Sequence, residues 1–249
     1  MHDRVEAVAS ITLEQADSYE ENGHLILPGL LTSSQIATIK AIHAHATTVA
    51  SPPEYSPLPV DDWDWNLNID SQPALRKVSA PFDKFPEFRA IFTCSAVLDA
   101  VADLIGPDIY FHSSKLMCKP PLIGRRKPWH QDLAYWVDID SRQVTLWCAI
   151  DAADRDNGCV QLIPGSHRRG LIQHEQIDDW QVREDNIPND PVIYAEMQPG
   201  DVLFLHPLIL HSSDPNHSAK PRVAALVNYT STPRKADQKS PYGSDAPLR

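Results

Sequence analysis

The sequence has few cysteines, little glycine and no long hydrophobic run. Its four cysteines, Cys94, Cys118, Cys148 and Cys159, form no CxxC pair, so they do not indicate a cysteine-based zinc or redox motif. We expect four free thiols, as is usual for dispersed cysteines in a reducing compartment. No apolar stretch approaches the roughly 18 residues that a membrane span requires, and MHDRVEAVAS lacks the apolar core of a signal peptide. We therefore expect a soluble, cytoplasmic protein that does not associate with membranes.

Positive charge is also scarce. Lysine and arginine total 22 against 33 aspartates and glutamates, which gives a formal charge of −11. A nucleic-acid-binding surface requires basic residues along the phosphate backbone, so nucleic acid is not the expected partner. A local basic rim is still possible in the loop that carries Arg125, Arg126 and Lys127.

Proline is abundant, and the second half of the chain consists of short apolar runs between turn signals. The 22 prolines indicate many chain reversals. Runs such as QVTLWCAI, DVLFLHPLILH and RVAALVNYT predict successive strands without regular helices between them, which favours an antiparallel barrel or sandwich. We predict a mainly β protein with flanking helices. It forms a single domain over 1–249, with a helical N-terminal layer and lid loop (1–105), a β core (106–230) and a polar tail (231–249).

The N-terminal part contains one well-marked helix and one long loop. Thr12 followed by Gln15 fits a capping box, and the helix is expected to end near Gly23. The proline- and tryptophan-rich stretch 51–74 shows no period, so it is predicted to be a loop. Loops this long are often lids or binding walls. We assign its Trp63 and Trp65 to the substrate pocket, with anchoring of the loop to the core as the alternative.

The stretch PWHQDLAYW places a histidine and an aspartate two residues apart. On a strand, His130 and Asp132 project to the same side about 7 Å apart, whereas Gln131 points to the other side. An imidazole and a carboxylate at this spacing could share a metal, and a second histidine would complete the 2-His-1-carboxylate set that leaves positions open on Fe(II). Gln131 is assigned to the pocket as well.

The second histidine has to be chosen among eleven. His211 is the strongest candidate, because it ends the apolar run DVLFLHPLILH and Arg222 follows eleven residues later. His206 is its main rival. Arg222 could grip the distal carboxylate of a keto acid in a bidentate manner, although a surface arginine at a strand start is the alternative.

Four motifs in this order resemble the phytanoyl-CoA dioxygenase family of Fe(II)- and 2-oxoglutarate-dependent oxygenases: PWHQD, DNGCVQLIPGSHRRG, PGDVLFLHPLILHSS and NHSAKPR. The resemblance implies a double-stranded β-helix, or jelly-roll, for the β core. It also implies Fe(II) bound by His130, Asp132 and His211, with 2-oxoglutarate and O2 as cosubstrates and ascorbate as an optional reductant. Arg222 would clamp the C5 carboxylate of 2-oxoglutarate. In the resembling family, the histidine of the PGSH motif, His167, is not a ligand.

Three further residues are assigned to the site. The resemblance places Lys77 and Trp147 where the family has additional cosubstrate contacts. Their alternatives are a solvated lysine and a core aromatic residue. Lys115 shares a strand face with Met117 and is expected to line the substrate pocket.

The implied activity is oxidation of a C–H bond, most simply hydroxylation, with release of succinate and CO2. Asp132 argues against halogenation, because halogenating relatives replace the carboxylate with a small residue. We prefer a small metabolite or natural-product intermediate as substrate, since the acidic DDWDWN stretch suits a cationic or apolar molecule. An acyl-CoA substrate, a zinc hydrolase and a non-catalytic jelly-roll binding protein are the alternatives. The sequence does not indicate an oligomeric state.

Overall fold

The computed structural model describes residues 11–49, 63–67, 73–122, 124–136, 142–233 and 247–249. Five helices and the first three strands alternate over the N-terminal part, and the remaining strands follow. None of the helices described is long and apolar enough to cross a membrane. The helices are α1 Leu13–Asn22, α2 Ser33–Val49, α3 Pro81–Lys84, α4 Pro86–Phe92 and α5 Ser95–Ile105. The strands are β1 His24–Leu27, β2 Trp63–Leu67, β3 Pro73–Ser79, β4 Tyr110–Lys119, β5 Lys127–His130, β6 Gln143–Ala149, β7 Val160–Leu162, β8 His174–Gln176, β9 Trp180–Val182, β10 Ile193–Ala195, β11 Val202–Leu205, β12 His211–Ser213 and β13 Arg222–Thr230.

Two antiparallel sheets form the body of the protein. The large sheet has the order β1-β11-β6-β13-β4-β3-β2, and the small sheet has the order β10-β7-β12-β5. Strands β8 and β9 form a separate hairpin. Apart from the consecutive β2, β3 and β4, neighbours in both sheets come from distant parts of the chain, which is the arrangement of a jelly-roll. The predicted fold class, mainly β with flanking helices, is therefore confirmed.

The large sheet separates two hydrophobic layers because side chains alternate along each strand. On β6, Leu146 and Cys148 pack with the helices in a cluster that extends from Ile11 to Tyr229. The intervening Trp147 faces the small sheet and packs in a second cluster. This second layer lies between the sheets, where the functional site is built. The single-domain organisation stays a prediction, and the cluster that joins both ends of the chain supports it.

Two sequence-based assignments need correction. The strand predicted for WHQDLAYW ends at His130, and Asp132–Tyr135 forms a 3₁₀ turn instead. The stretch 51–74, predicted to be an irregular loop, contains β2, which pairs with β3 and extends the large sheet. Loop residues 51–62 and 68–72 lie outside the described residues, as does 234–246 of the tail. Trp63 and Trp65 lie on β2, but their side chains are likewise outside the description, so their pocket assignment stays a prediction.

The predicted helix start is confirmed in detail. Thr12 caps α1 through a reciprocal pair of hydrogen bonds with Gln15, and Gly23 ends the helix in the left-handed region with φ 76°. A Cβ at Gly23 would clash with the His167 ring, so glycine is required there for space as well as for backbone conformation. This contact joins the N-terminal helix to the loop after β7.

Candidate metal centre and its cavity

Three side chains converge at one edge of the small sheet. His130 ends β5, Asp132 begins the 3₁₀ turn and His211 begins β12. Asp132 Oδ1 lies 3.8 Å from His130 Nε2 and 3.7 Å from His211 Nε2. One possible ligand atom from each residue lies within 4.8 Å of the other two, a spacing suited to a single metal ion. His130 and His211 face each other across the ladder of β5 and β12.

Backbone carbonyls set the tautomer of both histidines. Nδ1 of His130 lies 2.8 Å from Pro128 O, and Nδ1 of His211 lies 3.0 Å from Ile209 O. A carbonyl oxygen only accepts hydrogen bonds, so Nδ1 carries a hydrogen in each ring and Nε2 is the nitrogen that is left to face a metal. Burial and the nearby His211 hold the pKa of His130 well below its ordinary value. The His130 ring is therefore neutral and ready to bind a metal at physiological pH.

The second carboxylate oxygen of Asp132 is held by a chain of hydrogen bonds from the large sheet. Thr145 Oγ1 donates to Asp132 Oδ2 at 2.6 Å. Asn228 Nδ2 donates to Thr145 Oγ1 at 2.5 Å, and Ser113 Oγ donates to Asn228 Oδ1 at 2.8 Å. Oδ1 is thereby directed at the two histidines. Sequence analysis missed this network, because its three members lie on three different strands.

Gln131 does not lie in the pocket, so its assignment there is wrong. Its amide nitrogen donates to Gly170 O at 2.9 Å and Leu208 O at 2.6 Å, and its Oε1 accepts from Ile172 N at 2.8 Å. The side chain is fully buried on the side opposite the donors. His174, which sequence analysis also missed, accepts a hydrogen bond from Gln131 N at 3.0 Å. Both residues fix the backbone between His130 and Asp132.

A cavity of about 770 Å³ opens beside the three donors. This volume is typical of small-molecule sites. Apart from the donors, the predicted site residues that line it are Lys77, Lys115, Trp147 and Arg222.

Arg222 is buried in this cavity without a carboxylate partner in the described part of the chain. It is 3% exposed, Nη1 donates to Gly158 O at 2.6 Å, and the guanidinium lies 5.1 Å from the Trp147 ring centroid. Its buried Nε has no hydrogen-bond partner. Burial lowers the pKa of Arg222 to about 10, so it stays charged at neutral pH. A buried charge is costly unless it is paired, which marks this point as an anion site. The alternative of a surface arginine is excluded.

The two lysines occupy neighbouring strands on the inner face of the large sheet. Lys77 on β3 pairs with Met117 on β4, and Lys115 lies two residues before Met117, as the strand prediction required. Burial lowers the pKa of Lys115, and the negative charge of Asp132 opposes that shift. Trp147 is both a core aromatic residue and a cavity wall.

His206 and His167 do not join the group of donors. Their ring centroids lie 4.8 Å apart, and His206 lies 6.2 Å from the Tyr19 ring on α1. His167 Nε2 forms a hydrogen bond with Glu20 O at 3.1 Å. The two rings thus pack against α1, and His211 is the histidine that accompanies His130 and Asp132.

Comparisons with known proteins place the chain among oxygenases. A family model described as Phytanoyl-CoA dioxygenase (PhyH) matches residues 19–224. Peroxisomal phytanoyl-CoA dioxygenase of Mus musculus is 32% identical over 238 residues, which cover 89% of this chain and 69% of that protein. Methylphosphonate hydroxylase of Gimesia maris is 27% identical over 241 residues, covering 95% and 86%. The crystal structure of EctD from S. alaskensis with 2-oxoglutarate and 5-hydroxyectoine has a TM-score of 0.78 at 20% identity, covering 97% of this chain and 88% of that one.

Proposed function

The chain belongs to the phytanoyl-CoA dioxygenase family, and from that premise we propose that His130, Asp132 and His211 bind Fe(II) for 2-oxoglutarate-dependent oxidation of a small organic molecule. The protein is an oxidoreductase of the non-haem Fe(II)- and 2-oxoglutarate-dependent type. With iron, 2-oxoglutarate and O2 bound, this type of centre oxidises a C–H bond while 2-oxoglutarate is converted to succinate and CO2. Hydroxylation is the outcome we propose.

The donor set fits ferrous iron. Two imidazole nitrogens and one carboxylate oxygen form the facial set that leaves coordination positions open on non-haem Fe(II). The carbonyl contacts of His130 and His211 present the Nε2 atoms, and Thr145 leaves Asp132 Oδ1 available. The Asp132 carboxylate would take the coordination position that a halide needs in halogenating enzymes, which supports hydroxylation over halogenation.

Arg222 fits the distal carboxylate of 2-oxoglutarate. Nη1 is used by Gly158 O, but the buried Nε has no hydrogen-bond partner, so the guanidinium keeps donor capacity inside the cavity. A carboxylate placed there would neutralise a charge that the described residues leave unpaired. Trp147 stacks against the guanidinium and limits its orientation. Lys77 lines the same cavity and is proposed as a further contact for the cosubstrate.

The observation that carries the proposal is that the three donors and the buried, unpaired Arg222 line one cavity. A zinc hydrolase needs the three donors but gives no role to Arg222. A non-catalytic binding protein gives no role to a donor set that leaves coordination positions open on the metal. The proposed cytoplasmic location stays a prediction, since mammalian relatives are named as peroxisomal.

The test is an anaerobic titration of the apoprotein with Fe(II) and then 2-oxoglutarate. We expect the weak visible charge-transfer band of an iron-chelated keto acid, and we expect His211→Ala to abolish it. On admission of O2, slow formation of succinate should follow even without the true substrate. A folded, iron-loaded protein that shows no band would contradict the proposal, and tighter binding of Zn(II) together with ester hydrolysis would favour the hydrolase.

A further inference from the structure

The cavity carries a charge opposite to that of the whole chain. The formal charge of the chain is −11, yet eight lysine and arginine side chains line the cavity against three aspartates. A concentration of one sign of charge in a concave site attracts ligands of the other sign. Like charges in one pocket repel one another, so this excess of basic over acidic side chains needs an explanation.

The iron site and cosubstrate explain part of the surplus. Asp132 is assigned to iron, and Arg222 and Lys77 are assigned to 2-oxoglutarate. Lys119 is no free positive charge, because Nζ donates to Arg125 O at 3.0 Å and also to Asp214 O, and burial lowers its pKa to about 6. Arg76 also interacts within the protein. The basic side chains that remain in the lining are Lys115, Arg125, Arg126 and Lys127, against two acidic ones, Asp178 and Asp179.

These remaining cations are set on a fixed rim. The loop between β4 and β5 is tied down by Lys119 Nζ at Arg125 O and by the hydrogen bond from Asn216 N to Gly124 O at 2.9 Å. Arg126 and Lys127 follow directly, and Lys127 begins β5, which pairs with β12. The backbone that carries these two side chains is therefore fixed before and after them. Such an anchored loop is better suited to ligand binding than a solvated basic loop is.

Two aspartates of the hairpin between β8 and β9 face this rim. Arg126 Nη2 lies 2.9 Å from Asp178 Oδ2, and Lys127 Nζ lies 2.5 Å from Asp179 Oδ2. The side chains of Arg126 and Asp178 are 49% and 66% exposed. Ion pairs at such exposure contribute little stability, so an incoming anion can displace Asp178 from Arg126. The side chains of Lys127 and Asp179 are 32% and 35% exposed, and Lys127 Nζ also donates to the Tyr135 hydroxyl at 2.8 Å, so displacement of Asp179 costs more. In this structure the two hairpin aspartates thus pair with the two rim cations.

A further basic side chain lies deeper. Lys115 lines the cavity between the rim and Asp132, and within the described residues it has neither a hydrogen bond nor an ion pair. Its amino group therefore faces the space in which a substrate would lie, on the same strand face as Met117. The lysine places a further hydrogen-bond donor between the mouth and the iron site.

We propose that the rim formed by Arg126 and Lys127 binds a phosphate-type dianionic group of the substrate, in exchange for Asp178 and Asp179. This inference rests on the proposed function and specifies its substrate class. The anionic group stays at the mouth, Lys115 contributes a hydrogen-bond donor along the cavity, and the carbon to be oxidised points inward to the metal ligands. Of the two kinds of molecule that the acidic DDWDWN stretch suits, cationic and apolar, a cationic substrate does not match the charge of this lining.

The experiment compares three probes on the anaerobic complex with Fe(II) and 2-oxoglutarate. Phenyl phosphate, phenol and benzyltrimethylammonium share a ring and differ in charge, and their binding is measured by calorimetry. We expect phenyl phosphate to bind at least ten-fold more tightly than either of the others. The double variant Arg126→Gln/Lys127→Gln should lose about ten-fold or more of that affinity. Asp178→Asn/Asp179→Asn should gain several-fold, because it removes the competing carboxylates.

Arg155→Gln is the matched control, since Arg155 forms an exposed ion pair with Glu196 at 2.9 Å and does not line the cavity. Equal affinity for the three probes would overturn the proposal, as would equal loss in Arg155→Gln and the rim variant, or weaker binding in the asparagine variant. The charge-transfer band is recorded in every sample. A normal band without anion preference rejects only the substrate class, whereas a missing band in the wild-type protein rejects the proposed function.

Discussion

The hydroxyl of Thr145 donates a 2.6 Å hydrogen bond to Asp132 Oδ2, and so the large sheet determines the orientation of a proposed metal ligand on the 3₁₀ turn. Thr145 itself accepts from Asn228, its cross-strand partner on β13. Because Thr145 must donate its single hydrogen to the carboxylate and accept from the amide, the direction of both hydrogen bonds is fixed. The metal centre is thereby coupled to the most extensively paired strands of the protein.

Thr145→Val should weaken Fe(II) binding. Valine has nearly the same shape but no hydroxyl, so Asp132 loses its donor and Asn228 loses its acceptor. Removal of such an outer hydrogen bond typically costs about 10–100-fold in metal affinity. Thr145→Ser keeps the donor and should stay within a few-fold of wild type. The measurement is anaerobic Fe(II) titration of the apoproteins, and equal affinity in the valine and serine variants would show that the hydroxyl does not position Asp132.

Arg222→Gln should reduce 2-oxoglutarate affinity while Fe(II) affinity is retained. The change removes the buried charge that faces the proposed carboxylate. Loss of one partner of a buried, hydrogen-bonded charge pair costs roughly 2–5 kcal/mol, or about 30-fold and more in Kd. Arg222→Lys keeps the charge but not the planar fork, so its affinity should be intermediate. Titration of the charge-transfer band gives both constants, and an unchanged Kd for 2-oxoglutarate in the glutamine variant would remove Arg222 from the cosubstrate site.

Gly158→Ala should impair both stability and cosubstrate binding. Gly158 has φ +78°, and a Cβ there would collide with Asp214 O, so the backbone that offers Gly158 O to Arg222 has to move. We expect a loss of about 1–3 kcal/mol in the free energy of unfolding together with weaker 2-oxoglutarate binding. Gly29→Ala is the control, because Gly29 has φ +63° but nothing within 4 Å of its added Cβ. If the two variants show the same loss of cosubstrate affinity, steric displacement at Gly158 is not its cause.

His206 should make the fold sensitive to acid. Burial, with a smaller contribution from His167, lowers the pKa of His206 from 6.5 to about 4. Between these values the unfolded chain binds more protons than the folded one, so this contribution is present above pH 6.5 and is lost as the pH falls toward 4. At ~1.36 kcal/mol for each pKa unit, it amounts to about 2 kcal/mol between pH 7 and pH 5.

His206→Gln tests this effect. Leu208 N donates a 3.1 Å hydrogen bond to His206 Nδ1, and glutamine keeps an acceptor for it. Urea unfolding of the apoprotein at pH 7 and pH 5 gives the free energies. The variant should lose about 2 kcal/mol less than wild type over this interval. The same pH dependence in both proteins would assign the acid sensitivity to other groups.

The convergence of His130, Asp132 and His211 and the fold class could be predicted from the sequence because their signals are local or ordered along the chain. His130 and Asp132 lie two residues apart, and His211 ends an apolar run at a set distance from Arg222. The family motifs then fix the topology. None of this depends on knowing which strands pair.

What depends on strand pairing was missed or misassigned. Thr145 and Asn228 carry no motif, and they meet only through the register of β6 and β13. Gln131 was assigned to the pocket from its position between two ligands, but loops around Gly170 and Leu208 enclose its amide. The charge of the cavity was also hidden, because its basic residues come from separated segments of an acidic chain.

The direct pairing of His130 with His211 on adjacent strands has a consequence for metal supply. Since the ladder of β5 and β12 holds the two rings in place, a divalent ion finds its ligands already assembled and little of its binding energy goes into ordering the chain. A preformed site of imidazole and carboxylate groups binds several first-row divalent metals. Its intrinsic affinities follow the Irving–Williams order, in which Fe(II) is not the preferred ion. The metal that the protein carries should therefore depend on which metals are available as well as on the site, and a purified sample will reflect the growth medium.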